Sequence, residues 1–317
     1  MVPRGMRRAL VLRDYGIIGV LTLLIALLAI TSRSFLTGAN LSAVLDQAAV
    51  PGIAACGVTL AIVSGAFDLS LGSVYAVGGI LSVMFSKDTG TGLADVGATA
   101  AGLALGGING FIIAALGINS FITTLATSFA FGGIAVLITG GVFVSTSSAH
   151  FGILGTFTPI WGISAATWVF LGVALLTGVI LHSTGYGRTL FAIGGNREAA
   201  RLSGIRVRLN QMIALSLSGG CAAIAGVIDA SRTTAASSSS GSTETLALSA
   251  IAATIIGGTS ILGGDGAIWR AVVGVLILGL MADAFNLLGI NGNVQEIVEG
   301  GLILAAVGAD VTLRRRG

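Results

Sequence analysis

The chain has 317 residues, of which 54% are hydrophobic and 9% charged, against about 25% charged in an average soluble domain. Its 16 Lys and Arg and 13 Asp and Glu cannot cover the surface of a soluble globule, so lipid must be part of its solvent. The mean hydropathy of +0.99 agrees, and the 49 glycines, unfavourable in soluble helices, suit membrane helices that approach one another through small residues.

Apolar runs long enough to cross a hydrocarbon core of about 30 Å predict ten spanning helices, over 15–31, 43–64, 69–86, 92–115, 120–140, 162–182, 209–230, 244–258, 267–284 and 293–309. The expected fold is all-α, a polytopic membrane protein in which residues 1–317 form a single transmembrane domain. The first run, Tyr15 to Ile30, reads as a span and not as a cleavable signal peptide, because no small-residue cleavage motif follows it. Gly, Asp and Asn punctuate the turns at Ala66–Asp68, Gly117–Asn119 and Gly263–Gly266.

An even number of spans puts both termini on one side. Arg4, Arg7, Arg8, Arg13, Arg188, Arg197, Arg201, Arg206, Arg208, Arg270, Arg314, Arg315 and Arg316 then fall on that side, leaving Arg33, Lys87 and Arg232 on the other. This segregation predicts cytoplasmic termini and a cytoplasmic loop over 183–208. On the outer side, the polar stretch Ser231–Thr243 reads as a solvated loop or flexible linker by composition.

The fourth span carries Ala94, Ala98, Gly102, Gly106, Gly110 and Ala114 at intervals of four. Small residues so spaced form one groove in which a neighbouring backbone can pack. Leu116-Gly117-Ile118-Asn119 recurs as Leu288-Gly289-Ile290-Asn291, and Asp68–Ser73 has a looser echo in Glu244–Ser249. The halves 15–140 and 162–309 are therefore candidates for a five-plus-five inverted repeat, an arrangement that tends to place a substrate site near the membrane midplane.

Covalent chemistry has no apparent carrier. The one lysine, Lys87, follows Ser86, so no GxxxxGK[ST] phosphate loop exists. His150, His182, Cys56 and Cys221 form no HExxH or CxxC pattern, so neither a metal site nor a disulfide framework is expected. Asp68 sits after a glycine-containing break and before a span, as a helix N-cap or a hinge. Thr124 and Thr127, with Asn119 and Thr123, give one apolar span a polar face; such hydroxyls either bond their own helix or face a solute. Asp46, Asp229 and Asp283 lie at or inside span ends, with Asp229 expected near Arg232; a proton relay through them is the competing use of buried carboxylates.

The segment Gly194-Gly195-Asn196-Arg197-Glu198-Ala199-Ala200-Arg201-Leu202-Ser203-Gly204-Ile205 reads as a loop with Asn196 as N-cap of a short amphipathic helix. Ala199, Ala200 and Leu202 could dock that helix into a partner's groove. The segment resembles the coupling loop of ribose-type permease subunits of ATP-binding cassette importers. Phe67–Ser73 is similar to the family's DLSVGS turn, Phe121–Thr127 to its FIATLGT segment, Gly257–Gly266 to its GGTS…GGxG loop, and Asn286–Gly289 to its NLLG.

The resemblance spans roughly residues 35–310 and implies the following expectations. The chain would be the permease subunit of an importer for a small hydrophilic solute, a monosaccharide first among them. It would work as a homo- or heterodimer with two ATPase subunits, which hold the ATP and magnesium, and with an extracytoplasmic binding protein, in the bacterial inner membrane. No nucleic acid is a partner, and no residue is catalytic. Asn196 to Gly204 would couple to the ATPase, while Asp68, Ser70, Asn119, Phe121, Thr124, Thr127 and Asn286 would serve the pathway or its gating, and Gly102, Gly106 and Gly110 helix packing.

The chain departs from the family at Gly132, where arginine is frequent, at Glu299, where lysine is frequent, at Asp265, usually lysine, and at Arg270, commonly glycine. Glu296 lies on the same helical face as Glu299. An ion-coupled carrier, or an importer of branched-chain amino acids or nucleosides, is the alternative. A cytoplasmic docking helix distinguishes the importer from the carrier.

Overall fold

The computed structural model describes residues 4–148, 150–158, 162–238, 240–292, 294, 295, 297, 298, 300–302, 304, 305 and 308. Glu296, Glu299 and the terminal arginines of 314–316 lie outside the described residues. The chain forms α1 (Arg4–Thr31), α2 (Gly38–Val63), α3 (Leu71–Thr89), α4 (Thr91–Leu116), α5 (Ser120–Thr139), β1 (Val144–Ser145), α6 (Ile153–Thr156) and α7 (Ala165–Ser183). It continues through α8 (Gly185–Gly195), α9 (Arg197–Leu202), α10 (Val207–Thr233), β2 (Ala235–Ala236), α11 (Ser240–Ile256) and α12 (Ile268–Leu287). The described residues between 292 and 308 are also helical.

Six of these helices, α2, α4, α5, α7, α10 and α12, are long and apolar enough to cross a membrane. Their burial sorts them. In α2, 83% of the apolar window is buried inside the protein and in α10 72%, against 22% in α5, so α2 and α10 are the central pair. They cross where Gly57 meets Cys221: a Cβ on Gly57 would lie 2.7 Å from that of Cys221. Both cysteines are buried and free.

Around this pair, α10 packs against α4 and α3, and α2 packs against α12, α11 and α7. The stripe at intervals of four is what α4 buries, at Ala94, Ala98, Gly102, Gly106 and Gly110, together with Asn109 and Ile113. It lies on α10, against Gly219 and Ala223 at one end and the backbone of Leu215 and Met212 at the other. A Cβ on Gly102 would come within 2.5 Å of the Gly219 carbonyl oxygen, and one on Gly106 or Gly110 would enter the backbone of Leu215 or Met212. Backbone-to-backbone contact of this kind replaces the hydrophobic drive that lipid removes.

The polar stretch Ser231–Thr243 departs from its expectation as a free linker. Its Ala235 and Ala236 pair antiparallel with Ser145 and Val144, and the buried Ser238 hydroxyl lies 3.2 Å from that of Thr139. A composition rich in serine signals exposure only when the hydroxyls lack intramolecular partners.

Candidate functional site

Between α2 and α3 the chain leaves helical structure while remaining buried. The end of α2 is a Schellman motif: Gly65, at φ +77°, donates to Ile62 O at 2.8 Å, and Ala66 donates to Ala61 O at 3.0 Å. Residues 66–69 then have no regular secondary structure, so their backbone amides need partners from elsewhere. Ser120 Oγ accepts from Phe67 N at 3.0 Å, and Thr124 Oγ1 accepts from Leu69 N at 3.0 Å. Gln211 Nε2 donates to Ser64 O at 2.9 Å.

Asp68 is 1% exposed and holds the end of this segment. Its Oδ1 accepts from Ser70 N at 3.1 Å and from Ser70 Oγ at 2.6 Å, and its Oδ2 accepts from Ser218 Oγ at 2.7 Å. Asn109 Nδ2 donates to Ser70 Oγ at 2.7 Å. Ser70 occupies the cap position of α3, so Asp68 acts one step earlier, tying the break to α10 and, through Ser70, to α4. From Gln211 to Ser218 the segment rises along α10 by about 10 Å, at 1.5 Å per residue.

The tip of α2 also meets two glycine loops. Gly264 N donates to Val63 O at 2.9 Å. A Cβ on Gly264 would approach Gly195 Cα to 2.7 Å, one on Gly263 would approach Gly65 Cα to 2.9 Å, and one on Gly194 would overlap the Val63 carbonyl. Three separate motifs, 63–65, 194–195 and 263–264, thus touch through bare backbone. A side chain at Gly194, Gly263 or Gly264 would push them apart.

From this junction α8 leads directly to α9. Asn196 caps α9, its Oδ1 accepting from Ala199 N at 2.9 Å, and Gly204 ends the turn at φ +83°. Ala200 faces inward, buried with Ile193 and Val207, and is thereby withdrawn from the expected docking face. Ala199 and Leu202 stay exposed, Leu202 at 75%. Glu198 accepts a forked hydrogen bond from Arg201 at 2.6 to 3.2 Å, which holds its carboxyl below the usual glutamate range.

A cavity of about 390 Å³ opens between α3, α5 and α11, lined by Ser73, Ser128, Ser238 and Glu244 on walls that include Leu125 and Phe129. Gly132 lines it too. Of the residues expected to serve a pathway, Asp68, Ser70 and Thr124 come together at the break. Asn119 instead caps α5 by accepting from Phe121 N at 2.8 Å, Phe121 is exposed, and Thr127 bonds back to Thr124 O. Asn286 is exposed at the far end of α12.

The acidic residues at helix ends have definite partners. Arg232 Nη2 bonds Asp46 Oδ1 at 2.7 Å, and Ser164 Oγ donates to the same oxygen. Asp229, expected near Arg232, accepts from Tyr75 Oη at 2.6 Å, and Asp46, distant in sequence, takes the guanidinium. Asn40 Nδ2 donates to Asp283 at 2.9 Å. Two of the four positions expected to depart from the family also meet: Arg270, 5% exposed, pairs with Asp265 at 2.9 Å. Ser120, Asn109, Gln211 and Ser218 escaped the sequence reading; a lone amide or hydroxyl on the buried side of an apolar helix was their only signal.

Six membrane-length helices, a largely apolar cavity with three serines and one glutamate in its lining, and a capped short helix held out at one end define the class of a multi-pass membrane transport subunit. The chain belongs to the branched-chain amino acid transport system / permease component family, whose model matches residues 40–307. It is 37% identical over 295 residues to the ribose import permease protein RbsC of Escherichia coli strain K12, covering 92% of this chain and 91% of that one. It is 38% identical to the L-arabinose transport system permease protein AraH of the same strain (93% and 89% covered), and 34% identical to its D-allose transport system permease protein AlsC (93% and 91%). No solved structure matches the chain. The expected importer family is thereby borne out, and the chain is a transport subunit, not an enzyme.

Proposed function

We propose that this chain is the transmembrane subunit of an ATP-binding cassette importer for a monosaccharide. The observation that carries the reading is the near full-length similarity to permeases named for ribose, L-arabinose and D-allose. The whole chain forms one permease domain of ten spans with both ends in the cytoplasm of a bacterium, in its inner membrane among lipid. It pairs with an identical or homologous permease, receives the sugar from an extracytoplasmic binding protein, and is driven by a separate ATPase that holds the ATP and magnesium. A five-plus-five inverted repeat is supported by exchanged packing: α10 on α3 and α4 corresponds to α2 on α11 and α12. α1 and α7 do not exchange in this way.

In this reading the exposed face of α9, with Arg197, Glu198, Ala199, Arg201, Leu202 and Ser203, seats in the ATPase. Closure of the ATPase moves α8, and the glycine junction passes that movement to the tip of α2 and the break at Asp68. The cavity between α3, α5 and α11 is the route that the break opens or narrows.

The test is joint replacement of Arg197 and Glu198 by alanine, and separately Gly204→Ala, in the assembled importer. The expected result is loss of ATPase co-purification or of sugar uptake while the permease remains folded; unchanged association together with unchanged uptake overturns the coupling role. Uptake of none of several monosaccharides by the unmodified assembly overturns the sugar reading.

A further inference from the structure

Above the junction of α3 and α10, a second cavity of about 320 Å³ lies among Tyr75, Phe143, Asp229, Thr233 and Ser237. Gly79 and Gly226 also line it, and a Cβ on Gly226 would overlap the Tyr75 carbonyl. The helices therefore touch at those glycines and part beside them. Ala76 borders both cavities, so the two stand on either side of one turn of α3.

The carboxylate in this cavity is unusual for its surroundings. Among the described residues, Tyr75 is its one side-chain hydrogen-bond donor, because the nearby guanidinium of Arg232 is engaged by Asp46 and its backbone carbonyl, at 2.7 and 2.5 Å. A carboxylate within an apolar bundle is costly unless donors reach it, and its oxygens offer about four acceptor positions. Neighbouring hydroxyls of a sugar supply such donors in pairs, and aromatic rings such as Phe143 and Tyr75 cover the apolar C–H faces of the same molecule.

We propose that Asp229 and Tyr75 form a second sugar-contacting station in the outer half of the protein, with Asp229 accepting from two hydroxyls of a neutral monosaccharide. This station rests on the proposed sugar import and adds to it a site beyond the first cavity. Thr233, exposed at its rim, reports occupancy.

The experiment places Thr233→Cys in the complete permease–ATPase assembly without nucleotide or binding protein, and measures labelling by a small charged thiol reagent. Native Cys56 and Cys221 are buried and give little background. Ribose, L-arabinose or D-allose is expected to slow labelling about tenfold at about ten times its dissociation constant, with L-leucine and potassium chloride without effect. Asp229→Asn in the same background is expected to abolish protection while leaving the unprotected rate unchanged. Tyr75→Phe, which keeps the ring and the packing, weakens protection and serves if Asp229→Asn does not fold. Absence of protection by any of the sugars, protection by leucine or salt, or full protection in both variants overturns the station. Sugar uptake by the unmodified assembly separates the outcomes: uptake without protection removes the station alone, and no uptake removes the import reading on which it stands.

Discussion

The backbone amide of Gly264 donates to the carbonyl of Val63 across 2.9 Å, joining a loop late in the chain to the tip of a central helix. Glycines from the segment before α9 close the same contact. Gly194→Ala inserts a methyl where the Val63 carbonyl already stands, and overpacking of this kind costs about 1–3 kcal/mol. The substitution is expected to lower the melting temperature of the purified permease and to reduce uptake per ATP hydrolysed. Gly195→Ala, with open space around the added carbon, is the matched control. Equal behaviour of the two would remove the junction from the coupling path.

The α4–α10 interface gives a sharper test of packing. Gly106→Ala drives a methyl into Leu215, whereas at Gly107 the nearest atom to an added Cβ is Ser216 Oγ at 3.7 Å. Thermal unfolding in detergent is expected to show Gly106→Ala destabilised by about 1–3 kcal/mol, and Gly107→Ala within about 0.5 kcal/mol of the parent.

Asp68→Ala removes the acceptor for Ser70 N, Ser70 Oγ and Ser218 Oγ together. A buried donor left unsatisfied costs about 1–3 kcal/mol, so this variant is expected to melt earlier than Ser218→Ala, which removes one bond. Melting curves and uptake of the two variants decide it; equal stability would mean that the break does not depend on the carboxylate.

Acid sensitivity of α9 follows from Glu198. Hydrogen bonds from Arg201 hold the Glu198 carboxyl below its usual range. Whatever the pair contributes is therefore present above the unfolded value and lost as pH falls through the lower, folded value. Association of the ATPase with the parent permease is expected to persist to lower pH than with Arg201→Gln, measured by co-purification across the acid range. Coincident profiles would exclude the pair from docking.

What the sequence made legible, and what it hid, divides by range. The stripe of small residues in α4 and the Asn196 cap depend on local spacing, and both are present as read. The partners of Asp68 and Asp229 depend on contacts from elsewhere in the fold: Ser218 lies on a distant helix, and Asp46 outcompetes the near neighbour for Arg232. The serine-rich stretch was misjudged for the same reason, since Thr139 and β1, which order it, lie far earlier in the chain. Among the pathway residues, Thr124 was recognised as polar. Its bond to Leu69 N, at the break, required the irregular segment between α2 and α3 to be known.

The Asp265–Arg270 pair joins the glycine junction to the start of α12. Replacing either residue alone removes the hydrogen-bonded ion pair between a guanidinium that is 5% exposed and a part-buried carboxylate beside the junction, whereas replacing both removes the two charges together. The two positions are therefore coupled energetically within this chain. Asp265→Asn and Arg270→Gln together are expected to lower the melting temperature of the purified permease by less than the sum of their separate effects, a non-additivity that a double-mutant cycle reads directly.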